Sequence, residues 1–450
     1  MSGRSSRAIA AGALATGLAV ALGACSPGSP TAPLSGQTTT TTRGPVPMSL
    51  TVWDQESTAP LDGVEQRLDA GFQRAYPNVT VHRRKVSFTN LKAAIQNAPT
   101  ASRPDVVEVN QGHSDMGALV QAHLLRPLDS YAKVFDWMNR FPAGLRAQNS
   151  FSSDGKSFGT GSLYGVSQTG EMVGLFYDKA KLAALHLSMP KLWSGFEKQL
   201  PTIAAAGEQP IVFGNRDAFP AIGLFGLLHD QSAGPAAARN LVFGGSGARF
   251  DSAAVLTAAQ TLQGWERNGY LSPGADGLSY EQAATDFAHG TGVYLITGTW
   301  EAATLAATMG ANVGFVAPPP VTATGASTTS GGQGLAWTLT ASSAHPDVAA
   351  AYLDYMTGPD AAQALVHAGE LPATTSSAAV PAAGTVALDV MSAWQAVCRA
   401  DGVVPYLDYS TPTMFRPLSA GLTGLIAGRA TPTQFVASVQ RAYATHPTSR

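Results

Sequence analysis

The run Met48-Ser49-Leu50-Thr51-Val52-Trp53 opens the stretch that decides the fold. Its apolar alternation predicts a strand, and Leu61, Val64, Leu68, Phe72 and Ala75 then recur at helical spacing. Tyr76-Pro77-Asn78 stops that helix. Residues 79–86 alternate again, 90–97 read as helical, and Pro104-Asp105-Val106-Val107-Glu108-Val109 is a strand entered through a proline. The order β-α-β-α-β predicts a right-handed parallel sheet covered by helices, and so an α/β protein. No Gly-x-Gly-x-x-Gly follows the first strand, so a dinucleotide site is not indicated. In open sheets of this kind ligands bind beyond the carboxyl ends of the strands. Those ends are Trp53-Asp54-Gln55-Glu56 and Asn110-Gln111-Gly112-His113. Strand-end loops are polar in most proteins, so position alone does not make them a site.

The α/β character continues outward. Segments 172–177, 211–213, 292–296 and 335–340 read as strands, and 256–265 and 348–356 as helices. The Pro/Gly/Thr/Ser stretch 318–332 reads as a crossing between lobes, and Thr431-Pro432-Thr433-Gln434 fits a capping box for a last helix. There is no internal repeat.

The chain has 450 residues, 45% hydrophobic and 13% charged, with 28 Lys and Arg against 30 Asp and Glu. That length supports more than one core. Near-neutral charge argues against a dedicated nucleic-acid binder, which needs a basic face for phosphates. At the N-terminus, Arg4 and Arg7 precede an uncharged apolar run over 8–21, the shape of a signal peptide rather than a transmembrane span. It ends in Leu22-Gly23-Ala24-Cys25, which resembles the lipobox of bacterial lipoproteins. That resemblance implies cleavage after residue 24, diacylation of Cys25 and anchoring to the outer face of the bacterial cytoplasmic membrane. Residues 25–47 then form the lipidated Cys and a Ser/Thr/Pro/Gly-rich tether. With Cys25 acylated, Cys398 has no partner for an intramolecular disulfide; its apolar helical surroundings read as those of an inert core thiol.

Several separated segments share their order with one family. They are Phe72-Gln73-Arg74-Ala75-Tyr76-Pro77-Asn78-Val79-Thr80-Val81, Pro104-Asp105-Val106-Val107, Leu124-Leu125-Arg126-Pro127-Leu128-Asp129, and Leu163-Tyr164-Gly165-Val166 with Gly174-Leu175-Phe176-Tyr177-Asp178-Lys179. Pro190-Lys191-Leu192-Trp193, Gly298-Thr299-Trp300, Gly331-Gly332-Gln333 and His345-Pro346-Asp347 follow. Together they resemble the family 1 extracellular solute-binding proteins of ABC importers, the group that includes maltose-binding protein. The chain departs from that pattern at Ser167, where Pro is usual, at Asp178, where Asn is usual, and at the extra residue before Trp193. The resemblance implies a two-lobed periplasmic-binding-protein type II fold, each lobe an open sheet covered by helices, closing by a hinge on a ligand. One lobe is placed at 48–165 plus 331–372, the other at 166–330 plus 373–450. The implied partners are a small-molecule ligand, expected to be a carbohydrate, and the transmembrane subunits of a permease. A monomer without a cofactor is expected.

A sugar offers hydroxyls that donate and accept and apolar C–H faces, so its site combines planar polar side chains with aromatic platforms. Gln55, Glu56, Asn110 and Gln111 qualify by position; otherwise they are solvated loop residues. Trp300 matches the place where the family sets a stacking ring, against packing between helices as the plain alternative, whereas Trp53 within its strand reads as core. Glu171 aligns with a polar contact of maltose-binding protein, and Phe219 with an aromatic one. Gln333, after the glycine pair, is expected near the cleft. Phe415 and Arg416 precede a late helix where relatives offer an aromatic or basic contact, and Arg416 reads equally as a surface ion-pair residue.

Enzyme motifs fail narrowly. Gly244-Gly245-Ser246-Gly247-Ala248 ends in Ala rather than the Gly of a nucleophile elbow. Ser150 replaces the first glycine of a P-loop ending in Gly155-Lys156-Ser157. The nine His show no metal-ligand spacing. Glu56 and Glu171 could serve as a glycosidase pair only at a suitable separation, which sequence does not give. The expected function is capture of a sugar or polyol for import, with a glycerophosphodiester or other polar solute, a surface glycoside hydrolase and a non-transport scaffold as alternatives.

Overall fold

The computed structural model describes residues 46–57, 59–374 and 379–446. The leader, Cys25 and the tether up to residue 45 lie outside the described residues. Strand β1 (Met48–Asp54) is followed by helix α1 (Ala59–Ala75), β2 (Val79–Lys85), α2 (Phe88–Asn97) and β3 (Val106–Val109). Helix α1 forms because Leu61, Val64, Leu68 and Phe72 line one face, and all four are buried against Leu50, Val52 and the later helix Pro346–Met356. β1 pairs in parallel with both β2 and β3, as the β-α-β-α-β order requires.

The sheet does not stay parallel. β4 (Gly165–Val166) and a late strand, Ala336–Leu339, join it, and the late strand runs antiparallel to both β3 and β4. Thr338 anchors it there, its Oγ1 donating to the Val107 carbonyl at 2.8 Å. No local pattern in the first hundred residues could announce a strand arriving from so far along the chain.

The second lobe is built on β5 (Gly170–Asp178), which pairs antiparallel with β7 (Tyr294–Gly298), β8 (Val313–Val316) and β9 (Thr329–Gln333). β6 (Ile211–Val212) lies parallel to β7, and Val403–Val404 lies parallel to β9. Helices Phe219–Ala233, Ala253–Arg267, Phe415–Ile426 and Pro432–Ala444 pack together beside this sheet. The last begins with the expected capping box, Thr431 with Gln434. The molecule is thus a two-lobed α/β protein, each lobe a sheet covered by helices. No helix among the described residues is long and apolar enough to cross a membrane.

Three passages connect the sheets, and they lie side by side. Residues 167–169 lead from β4 to β5, 334–335 lead from β9 to Ala336–Leu339, which is β10, and 371–373 lead out of helix Pro359–Ala368. Gly334 N–H donates to the Thr169 carbonyl, Gly170 N–H to Leu371 and Ala373 N–H to Gln168. The stretch expected as a plain crossing, 318–332, therefore ends inside a strand of the second sheet. Cys398 is half-buried in helix Val386–Arg399, and burial pushes its thiol up to about 12, with Asp401 adding to the rise. Such a thiol is unreactive.

Candidate ligand site

At the carboxyl end of β1 the chain turns around one arginine. Arg83, on the neighbouring strand, donates from Nε and Nη2 to the fully buried Asp54 at 2.6 and 2.7 Å. It also donates to Asp62 at 2.6 Å and to the Glu56 carbonyl at 2.7 Å. Its planar fork thereby fixes the direction in which residues 54–56 leave the sheet. Glu56 N–H donates to Asp54 Oδ1, Gln55 N–H to Glu108 Oε2, and Gln55 Nε2 to Glu56 Oε1 at 3.3 Å. Burial and then the Asp54 charge raise the Glu56 carboxyl to about 7.

Beyond β3, Asn110 and Gln111 are gripped by a segment from the far end of the chain. The Tyr409 hydroxyl, from the turn Leu407–Ser410, donates to Asn110 Oδ1 at 2.9 Å and lies 3.4 Å from Gln111 Oε1. Gln111, 1% exposed, donates from Nε2 to the carbonyls of Gln333 and Gly334. Gln333 itself accepts at Oε1 from Asn149 Nδ2 at 2.8 Å and from Ser167 N–H at 3.1 Å. The usual proline at position 167 has no N–H, so the serine found here supplies a bond that the family pattern lacks. The Ser167 hydroxyl also donates to the Gly334 carbonyl at 2.7 Å.

Glu171 stands opposite Gly332 where β5 and β9 pair. A Cβ at Gly331 would lie 2.3 Å from the Glu171 carbonyl oxygen, so the glycine is what lets the two strands approach. Burial raises the Glu171 carboxyl to about 8, the Tyr406 hydroxyl beside it opposes the rise, and Glu56 adds to it.

The second lobe contributes aromatic rings. Trp300 follows β7 and donates from Nε1 to the Tyr280 hydroxyl. Tyr280 in turn donates to Glu301 Oε1 at 2.6 Å, and its ring lies 5.0 Å from that of Phe219. Phe219, Tyr280, Trp300 and Glu301 are thus one cluster, all partly exposed. Glu370 lies beside the third crossing, and a Cβ at the preceding Gly369 would lie 3.4 Å from Ala303 Cβ, in the helix that follows Glu301. Burial raises the Glu370 carboxyl to about 8, with Glu56 from the first lobe and Glu301 from the second both adding.

The structure therefore links Gln55, Glu56, Asn110, Gln111, Glu171 and Gln333 around the crossings, and Phe219 and Trp300 on the second-lobe side. Gln111 and Gln333 are almost wholly buried and act as braces between passages. Phe415 and Arg416 stand apart: both are exposed at the head of their helix, and neither makes a side-chain hydrogen bond, ion pair or ring contact among the described residues. Trp53 is core, 6% exposed, with the Arg84 guanidinium 4.7 Å over its ring. Sequence reasoning missed Tyr280, Glu301, Glu370, Tyr406 and Tyr409. Glu301 adjoins the Trp300 motif and was findable; the others sit in segments without a distinguishing pattern. Among the described residues no group of three His, Cys, Asp or Glu side chains is arranged to hold a metal ion.

Comparison with known proteins accords with this geometry. The sequence profile described as "Bacterial extracellular solute-binding protein" matches residues 56–363. No curated protein sequence matches. Among solved structures, a protein from a study of xylan utilization by the bacterium Caldanaerobius polysaccharolyticus is 21% identical, with a TM-score of 0.75 over 88% of this chain and 99% of its own. A chitin oligosaccharide binding protein gives the same identity and TM-score over 90% and 100%. The GacH receptor of Streptomyces glaucescens, solved unliganded and with acarbose, is 19% identical at a TM-score of 0.69 over 89% and 98%. At these identities the structures speak for the fold, while the profile spans more than half of the chain: the protein belongs to the family of bacterial extracellular solute-binding proteins.

Proposed function

We propose that this chain is the solute-capturing component of an ABC importer, and that its solute is a carbohydrate or polyol. The observation that carries the reading is the convergence of planar polar groups from the first lobe and the crossings with an aromatic cluster from the second. Gln55, Glu56, Asn110 and Glu171 supply donors and acceptors for hydroxyls; Phe219, Tyr280 and Trp300 supply faces for C–H surfaces. Gln111 and Gln333 hold the site's floor, and Phe415 and Arg416 become rim contacts if closure brings them in. The lobes comprise 48–166 with 336–370 and 170–333 with the segment after 373, which moves the expected bounds at 165 and 331 because Val166 pairs in the first sheet and residues 331–333 in the second, and they rotate about the three adjacent passages. The neighbours described as binding chitin oligosaccharide and acarbose support the ligand class. The exported chain is held at the membrane by a diacylated Cys25 and hands its solute to permease subunits as a monomer.

The carboxyl-rich site speaks against a glycerophosphodiester, whose phosphate would meet Glu56, Glu171 and Glu370 with Arg83 already committed. A thermal-shift screen of neutral sugars, polyols, amino sugars and glycerophosphodiesters tests the reading. A ligand at a hundred times its Kd adds about 2.7 kcal/mol. A shift with a sugar and no turnover supports capture, and a shift confined to phosphodiesters would overturn the carbohydrate assignment.

A further inference from the structure

Tyr409 reaches from one lobe to the other. It belongs to the second: Val403–Val404 lies parallel to β9, and the chain runs on from there into the turn Leu407–Ser410. Its hydroxyl donates to Asn110 Oδ1 of the first lobe at 2.9 Å, and its ring is seated on Gly112, where a Cβ would come within 2.6 Å of it. Gly112 has a φ of +82°, so a side chain at that position is opposed by the backbone as well as by the ring. A second ring of the same lobe repeats the arrangement. Phe243 abuts Gly159, where a Cβ would lie 2.7 Å from its Cδ1. Phe158 of the first lobe joins the two, its ring 6.4 Å from that of Tyr409 and 5.0 Å from that of Phe243. Two rings of one lobe thus rest on two glycines of the other, with a hydrogen bond beside them.

Every group in this seam belongs to the chain itself, so it needs no sugar in order to form. The Asn110 amide is committed on both sides, Oδ1 to Tyr409 and Nδ2 to Asp115 Oδ2 at 3.1 Å, which leaves a sugar only the second lone pair of Oδ1. A contact made equally in the empty and the filled closed state does not favour one over the other. It acts instead on the step between closed and open, because a sugar trapped between two lobes enters or leaves only while they are apart.

We propose that the Tyr409 hydroxyl and Asn110 form a latch between the lobes, which sets how fast the solute enters and leaves rather than how tightly it is held. The proposal rests on the capture reading above, in which the lobes rotate about the passages. Tyr409 is then a positioning residue: its bond to Asn110 breaks at each opening and reforms at each closure, whether or not a sugar is inside.

Two measurements on the purified full chain test it, with wild type set against Tyr409→Phe, which keeps the ring and loses only the donor, and against Asn110→Ala. Small-angle X-ray scattering without added sugar should give both variants a larger radius of gyration than the wild type. Stopped-flow tryptophan fluorescence with glucose, xylose, cellobiose, maltose, diacetylchitobiose and raffinose supplies the rates. For a sugar that binds, Tyr409→Phe should raise the association and dissociation rate constants by about threefold or more each, and keep Kd within about twofold. Unchanged rates, or one scattering curve for all three proteins, would overturn the latch. Faster dissociation alone, with Kd weakened to match, would also overturn it and make Tyr409 a sugar contact. Binding by none of the sugars would overturn the carbohydrate reading, and scattering would then decide the latch by itself. If Tyr409→Phe fails to fold, the scattering of Asn110→Ala decides, since it lacks the same bond.

Discussion

Trp300 lies where it does because residue 298 has no side chain: a Cβ there would sit 1.9 Å from the indole ring. Gly298→Ala should therefore displace the ring and weaken ligand binding even though the ring itself is retained. Trp300→Ala should weaken binding by more than ~1 kcal/mol, read by titration with circular dichroism unchanged. The carboxyls make a second expectation at this scale. Glu370 binds its proton more tightly when folded than when unfolded, so its contribution to stability is lost as pH rises from the unfolded value toward about 8. Glu370→Gln should accordingly stabilise the ligand-free protein at pH 8 by at least about 1 kcal/mol relative to its effect at pH 5, measured by urea unfolding at both. Gln55 and Glu56 were legible in the sequence because a strand end announces them. Tyr409 and Glu370 were not, since each reaches the site from a segment whose own residues give no sign of where it will lie.

At the scale of elements, β1 to β3 and their helices were legible because alternation and helical spacing act locally. The sheet's other half was not, because β10 inserts between β3 and β4 by a pairing that only the finished fold specifies. The crossings carry the departure from the family pattern that matters most. Ser167→Pro restores the usual residue but removes the N–H that Gln333 Oε1 accepts. It should destabilise the protein by roughly 1–3 kcal/mol, since a buried acceptor loses one of its two donors. Chemical denaturation measures this, and an unchanged midpoint would show that the bond is dispensable.

At the scale of the molecule, the lobes share apolar packing as well as backbone. The Phe158 ring, on the first-lobe side, lies 5.0 Å from Phe243 and 6.4 Å from Tyr409. Calorimetry should therefore show one unfolding transition; two resolved transitions would mean that each lobe holds itself up independently. The two-lobed plan was legible through motifs spread along most of the chain, whereas the site's charge balance emerged only when four distant segments met. The late arrival of β10 has one more consequence. Thr338 bonds to Val107 across 231 positions, so the first sheet stays unfinished until most of the chain is present. In a protein threaded N-terminus first through an export channel, the leading lobe would emerge with a gap in its centre. It would stay pliable until the strand from the last third followed, which delays commitment to the native state during secretion.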